Sequence, residues 1–179
     1  MADFQMPVSM KITGRLSSIT NAFVNSIIPT IQPTQKDIDE AIHILGMAAN
    51  QVLCAYCGDP SSEWDHLRAI VRDRRPTGYI TEIHNLVPAC GKCNQSKGNK
   101  EWRTWMFGPA KLSPATRCVQ DIESKAARLE TYEKWGEPTK LDIPSILGAS
   151  DWNKHLQNLL VIETAMRSAQ EHSDKIREK

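Results

Sequence analysis

Apolar residues recur along this chain in a helical rhythm at both ends and lose that rhythm in the middle. Leu16, Ile19, Ala22, Phe23 and Ile27 fall at intervals of three and four, one face of a helix, and predict a helix over 14–28. Pro29 and Pro33 interrupt it. Thr34 then suits an N-cap, with Asp37 three residues on. Ile38, Ala41, Ile42, Leu45, Ala48, Ala49 and Val52 continue as the stripe of a second helix, over 35–51. From Cys54 to Trp105 the stretches are short and broken by Gly58, Asp59, Pro60, Pro76 and Gly78. Trp64 to Ile70 and Tyr79 to Val87 read there as two short strands, with the Arg-Arg-Pro-Thr-Gly stretch as their loop. Helical spacing returns over 91–106 and stops at Gly108-Pro109. Ser113 and Pro114 read as N-cap and first turn of a helix striped by Ala115, Cys118, Ile122, Ala126, Leu129 and Tyr132, ended by Gly136 and Pro138. A last helix, capped at Ser150 or Asp151, carries Trp152, Leu156, Leu159, Leu160 and Met166. The pattern predicts an α+β protein, with helices at both ends of a small irregular centre.

Composition narrows the class. The chain has 179 residues, one domain's worth, with 40% hydrophobic and 24% charged residues, which excludes wholesale disorder and fibrous repeats. The net charge of +1 gives no global sign of a nucleic-acid partner, so any basic patch is local. The first ten residues lack the basic and apolar regions of a secretory signal. The longest aliphatic run, Leu159 to Ile162, is far shorter than the ~20 residues of a membrane span. The expectation is a cytoplasmic, non-membrane protein.

Of five cysteines, four form two Cys-x-x-Cys pairs, Cys54/Cys57 and Cys90/Cys93, with 32 residues between the pairs. Each pair can place two thiolates on one side of a tight turn, and four thiolates close the tetrahedral shell of a structural Zn²⁺. A single redox pair is the weaker reading, because neither pair follows a strand in a βαβ pattern. Cys118, on an apolar stripe, is expected to be a core thiol.

Inside the cysteine frame lie Asp65-His66, His84-Asn85-Leu86 and Asn94 directly after Cys93, followed by Lys97, Gly98, Asn99 and Lys100. This arrangement, over residues 52–107, resembles the HNH endonuclease family in its four-cysteine form. The resemblance implies a zinc-stapled ββα-metal core, two antiparallel strands and a helix with one divalent cation between. It divides the chain into an N-terminal helical arm (1–51), the nuclease core (52–108) and a C-terminal helical region (109–179). It assigns His66 as the general base, Asn85 as the asparagine that braces the loop and orients the base, and Asp65 and Asn94 as metal ligands. Asn94 stands where histidine is common in the family. Its amide oxygen, with the Asp65 carboxylate, suits a hard cation such as Mg²⁺ or Mn²⁺.

The chemistry is coherent apart from the resemblance. Phosphodiester hydrolysis needs a base that titrates near neutrality and a cation on the developing negative charge. Between Asp65 and Trp105 eight Lys and Arg residues face four Asp and Glu, a local excess of +4. Lys97, one turn after Asn94, is expected to touch the phosphate backbone. Arg72, Arg74, Arg75, Lys100 and His84 are further candidates for nucleic-acid contact. Trp102 and Trp105 are expected in the core, Trp64 as packing behind the His66 strand, and Glu82 as a solvated strand residue.

The function implied is a metal-dependent DNA endonuclease of restriction type II, leaving 5′-phosphate and 3′-hydroxyl ends on double-stranded DNA. Its flanking helices would suit a homodimer that cuts both strands. The alternatives are a homing, phage or nonspecific HNH nuclease or nickase, and a non-catalytic zinc module that binds nucleic acid.

Overall fold

The computed structural model describes residues 6–179, which form two compact units, one of residues 28–143 and one combining residues up to 27 with residues 144–179. In chain order the elements are α1 (Leu16–Asn25), α2 (Gln35–Ile44), β1 (Glu63–His66), β2 (Val71–Arg72), β3 (Arg75–Pro76), β4 (Leu86–Ala89), α3 (Gly91–Lys97), α4 (Trp102–Met106), α5 (Ile122–Trp135) and α6 (Ile143–Arg177).

The unit of residues 28–143 is built on one antiparallel pair. β1 pairs with β4 in the register Glu63 with Ala89 and His66 with Leu86, and α3 follows β4 directly. This is a ββα arrangement. The second expected strand is shorter and later than the sequence pattern suggests. Residues 83–85 form a 3₁₀ turn, and only 86–89 extend. The Arg-Arg-Pro-Thr-Gly stretch also departs from a plain loop. Val71–Arg72 pairs with Arg75–Pro76 across Asp73 and Arg74, whose positive φ values of 50° and 64° supply a tight hairpin turn.

Positive φ values sit where three of the expected helices break. The Thr34 capping box is present, with the Thr34 side chain on the Asp37 amide and the Asp37 carboxylate on the Thr34 amide. α2 nevertheless stops at Ile44, because Gly46 takes φ 67° and turns the chain out of the helix. The helix expected over 91–106 splits at Gly98, φ 53°, into α3 and α4. The helix expected from Ser113 begins only at Ile122. Ser113 closes a turn instead, its hydroxyl donating to the Gly108 carbonyl at 2.7 Å, and left-handed Cys118 and Asp121 block a continuous helix. Cys118 is correspondingly exposed and not a core thiol.

The core of this unit joins Tyr56, Leu67, Val87, Trp102, Trp105, Met106, Leu129 and Tyr132. Trp102 and Trp105 are buried as expected, whereas Trp64 is 56% exposed, on the face of β1 turned away from this core. Glu82 is buried rather than solvated, its carboxylate accepting from the Thr139 amide and hydroxyl.

In the other unit α1 runs antiparallel to α6. Ile12 donates its amide to Gln170, Thr20 its hydroxyl to the buried Glu163, and Phe23 stacks on His155, so rising positions meet falling ones. α6 is interrupted at Gly148, φ 76°, just before the expected helix start. No helix among the described residues is long and apolar enough to cross a membrane.

Candidate active site and metal centre

Two cysteine turns meet at the open edge of the β1–β4 pair. In the first, the Cys54 amide donates to Asp59 O and the Gly58 amide to Cys54 O, both at 2.8 Å, with Gly58 at φ 81°. In the second, Cys90 caps α3 and its carbonyl accepts the Asn94 amide at 3.0 Å. The Ala55 amide ties the two turns together through Pro88 O at 2.8 Å. All four sulfurs lie within 4.8 Å of one another, and Cys57 Sγ is 3.7 Å from Cys90 Sγ. A zinc tetrahedron with Zn–S bonds of ~2.3 Å has edges of about 3.8 Å, so the cluster fits Zn²⁺ by size and by ligand type. The Arg117 guanidinium donates to Cys93 Sγ at 3.0 Å and pairs with Asp59 at 3.4 Å. It places positive charge beside a centre that four thiolates and Zn²⁺ would leave at −2. Hydrogen bonding with Cys57 pushes the Cys54 thiol up to about 12, and the same contact pulls Cys57 down.

The zinc turn also reaches the centre of the unit. Tyr56, between the first two cysteines, is fully buried, and its hydroxyl donates to Asp65 Oδ2 at 2.6 Å. Asp65 receives Lys97 as well, Nζ lying 3.1 Å from Oδ2 and 3.3 Å from Oδ1. Burial raises the Asp65 carboxyl and lowers the Lys97 ammonium, and their attraction opposes both shifts. Lys97 is 0% exposed and also donates to His66 O at 2.7 Å and Gly98 O at 3.4 Å. The expectation that it reaches outward to a phosphate backbone is therefore corrected. Its three donors are spent inside, across β1 and the end of α3.

His66 lies at the end of β1, with Nε2 2.9 Å from Thr81 Oγ1. Burial, with the Lys97 charge beside it, lowers its pKa to about 4, so the ring is neutral at pH 7. Asn85 is fully buried and clasps the chain that follows His66. It accepts the Arg68 amide at 2.8 Å, donates to Arg68 O at 3.0 Å and to Ile80 O at 3.3 Å, and its own carbonyl accepts the Leu67 amide at 2.8 Å. Thr81 is pinned in turn by residues 29–31, its amide donating to Pro29 O at 3.1 Å and its carbonyl accepting Ile31 N at 2.9 Å.

Asn94, in the first turn of α3, donates Nδ2 to Glu63 Oε2 at 2.6 Å. Glu63 and Asp65 are two apart on β1 and share a face. Asp65 and Asn94 carry side-chain oxygens of the kind that could hold Mg²⁺ or Mn²⁺, with Glu63 bonded to the Asn94 amide nitrogen. Tyr56, Glu63, Thr81 and Arg117 were not singled out from the sequence. Only Glu63 carried a readable signal, the period-two spacing from Asp65.

Arg68, Lys97 and Arg103 pair with Glu133, Asp65 and Glu130. Arg72, Arg74, Arg75, Lys92 and Lys100 are exposed, Arg74 and Arg75 with interactions of their own. Lys100 caps α3 through Ser96 O at 2.9 Å. His84 sits on the 3₁₀ turn, not on a strand, and its ring packs on Trp135 at 4.4 Å and against Gly136.

Residues 54–100 match the model of the HNH endonuclease family. A 56-residue stretch is 43% identical to the CRISPR-associated endonuclease Cas9 of Corynebacterium diphtheriae, covering 29% of this chain and 5% of that protein. The chain thus spans about a twentieth of that relative's length, and the likeness concerns the HNH segment alone. No solved structure matches the chain significantly. The HNH resemblance read from the sequence is what this segment shows. HNH nucleases are metal-dependent and act on DNA.

Proposed function

We propose that this protein is a DNA endonuclease of restriction type, hydrolysing phosphodiester bonds of double-stranded DNA to 5′-phosphate and 3′-hydroxyl ends. The observation that carries the reading is the state of His66. It is neutral, Asn85 holds the chain just after it through Leu67 and Arg68, and it follows Asp65 directly at the end of β1. With Nε2 donating to Thr81 Oγ1, Nδ1 would be the nitrogen left to take a proton from water. Mg²⁺ or Mn²⁺, held by Asp65 and Asn94, would supply positive charge to the scissile phosphate and the leaving oxygen. Zn²⁺ on Cys54, Cys57, Cys90 and Cys93 would hold the Tyr56 turn and the start of α3 together, and so fix Asp65 against Asn94. The exposed Arg72, Arg74 and Arg75 ribbon and Lys100 supply cations for backbone contact, while a pair of chains would cut both strands.

The test is incubation of supercoiled plasmid and a phage genome with the wild-type protein and His66→Ala, with and without Mg²⁺ or Mn²⁺. Discrete fragments lost in His66→Ala and in chelator support restriction-type cleavage. Nicked circles or a smear lost the same way would replace that specificity with a nicking or nonspecific nuclease. No cleavage of plain or modified DNA by a zinc-loaded, folded protein would overturn the reading in favour of a binding module.

A further inference from the structure

The Asn94 side chain poses a problem that an aspartate there would not. Its amide has one oxygen and one nitrogen, and only the oxygen can serve a cation. A free amide in the first turn of α3 would present either. In this structure Nδ2 donates to Glu63 Oε2 at 2.6 Å, and the planar amide therefore turns Oδ1 away from that carboxylate. Glu63 is itself placed for the contact. It opens β1, two residues before Asp65 on the same face, and a Cβ on Gly91 would stand 3.0 Å from Glu63 Oε1, so the glycine at the start of α3 leaves room for the carboxylate.

We propose that Glu63 is a positioning residue that fixes the rotamer of the Asn94 amide through its hydrogen bond to Nδ2, so that Oδ1 is presented for cation binding. The inference rests on the proposed role of Asp65 and Asn94 as cation ligands. Glu63 acts through Asn94 and is not itself a ligand.

The test uses the zinc-loaded full chain and Mn²⁺ as probe, with affinity read from water-proton relaxation and cleavage measured alongside. Glu63→Ala should weaken Mn²⁺ binding by about tenfold or more, the usual cost of losing a partner that orients a metal ligand. Glu63→Gln, whose amide oxygen still accepts from Nδ2, should keep most of the affinity. Adding Asn94→Asp to Glu63→Ala should restore it, because a carboxylate offers an oxygen from either face and needs no orienting partner. A merely structural role for Glu63 would not be rescued by a change at Asn94. The proposal is overturned if Glu63→Ala binds Mn²⁺ normally, if Glu63→Gln loses as much as Glu63→Ala, or if the double variant stays as weak as the single. Wild-type protein binding no Mn²⁺ that Asp65→Ala abolishes would overturn the cation centre itself. Wild-type binding with an indifferent Glu63 would overturn only the positioning role.

Discussion

His66 is held where burial and the nearby Lys97 ammonium both work against its protonated form. An unperturbed imidazole titrates near pH ~6.5, whereas this one is lowered to about 4. Between those values the unfolded chain carries a proton that the folded chain has released. The His66 contribution to stability is therefore full above about pH 6.5 and declines as the pH falls towards 4. An NMR titration of the ring protons, assigned with His66→Ala, should give a midpoint near 4 for His66. A midpoint at 6.5 or above would show that the ring is neither desolvated nor repelled as described. The residues that carry this chemistry differ in how visible they were. The four cysteines, Asp65-His66 and Asn85 stand out by spacing. Tyr56, Thr81 and Arg117 do not, because their roles depend on contacts across 9, 15 and 24 positions, which no local pattern encodes. Spacing puts Lys97 on the correct turn of α3, but its ammonium lies inside the protein and not at the surface. Sequence spacing relates it to Asn94 and says nothing of the buried Asp65 that takes its charge.

The elements show where local propensity yields to tertiary demand. Thr34 caps α2 as its residue types require, yet apolar spacing past Leu45 does not extend the helix, since Gly46 turns the chain at φ 67° against the Arg128 side chain of α5. The strand expected over 79–87 is broken for a similar reason. Tyr132 of α5 donates its hydroxyl to the carbonyls of Ile83 and Leu86, holding a 3₁₀ turn where apolar alternation suggested extension. The same stretch is held from the other side at Gly78, φ 97°, whose carbonyl accepts Leu141 N at 2.9 Å. A Cβ there would stand 2.7 Å from the Leu141 carbonyl, a backbone atom that cannot turn aside. Gly78→Ala is therefore predicted to cost about 1–3 kcal/mol, from the left-handed φ and the overlap together. Chemical denaturation measures it, and an unchanged midpoint would contradict so close an approach of the two segments.

For the whole molecule, the question is what holds the unit of residues 28–143 in one arrangement. Its β1–β4 pair has four residues in each strand, too little sheet to be stable alone. The Cys54–Cys57 turn and the start of α3 meet at the four sulfurs, and the Ala55 amide bonds Pro88 of β4 beside them, so a zinc ion there would be part of the fold. Elemental analysis should find one zinc per chain, absent in Cys93→Ser. Its removal by chelator should shift the emission of buried Trp102 and Trp105 to the red. Emission unchanged after zinc loss would show that the staple is dispensable. The small α+β character and the four-cysteine cluster are legible in the sequence because cysteine spacing and turn residues are local signals. The grouping of residues 28–51 and 109–143 with the cysteine core is not, since it rests on contacts such as Trp135 Nε1 to Glu40 and Arg117 to Cys93.

On the proposed function, the unit of residues 28–143 cuts DNA with His66 as its base. The most direct measurement is the single-turnover cleavage rate of wild type and His66→Ala on one duplex with Mg²⁺, alongside the DNA affinity and zinc content of both. Loss of a general base predicts a fall in rate of about 10²-fold or more, with affinity and zinc unchanged. Equal rates in the two proteins, or no cleavage by a zinc-loaded wild type, would contradict the account.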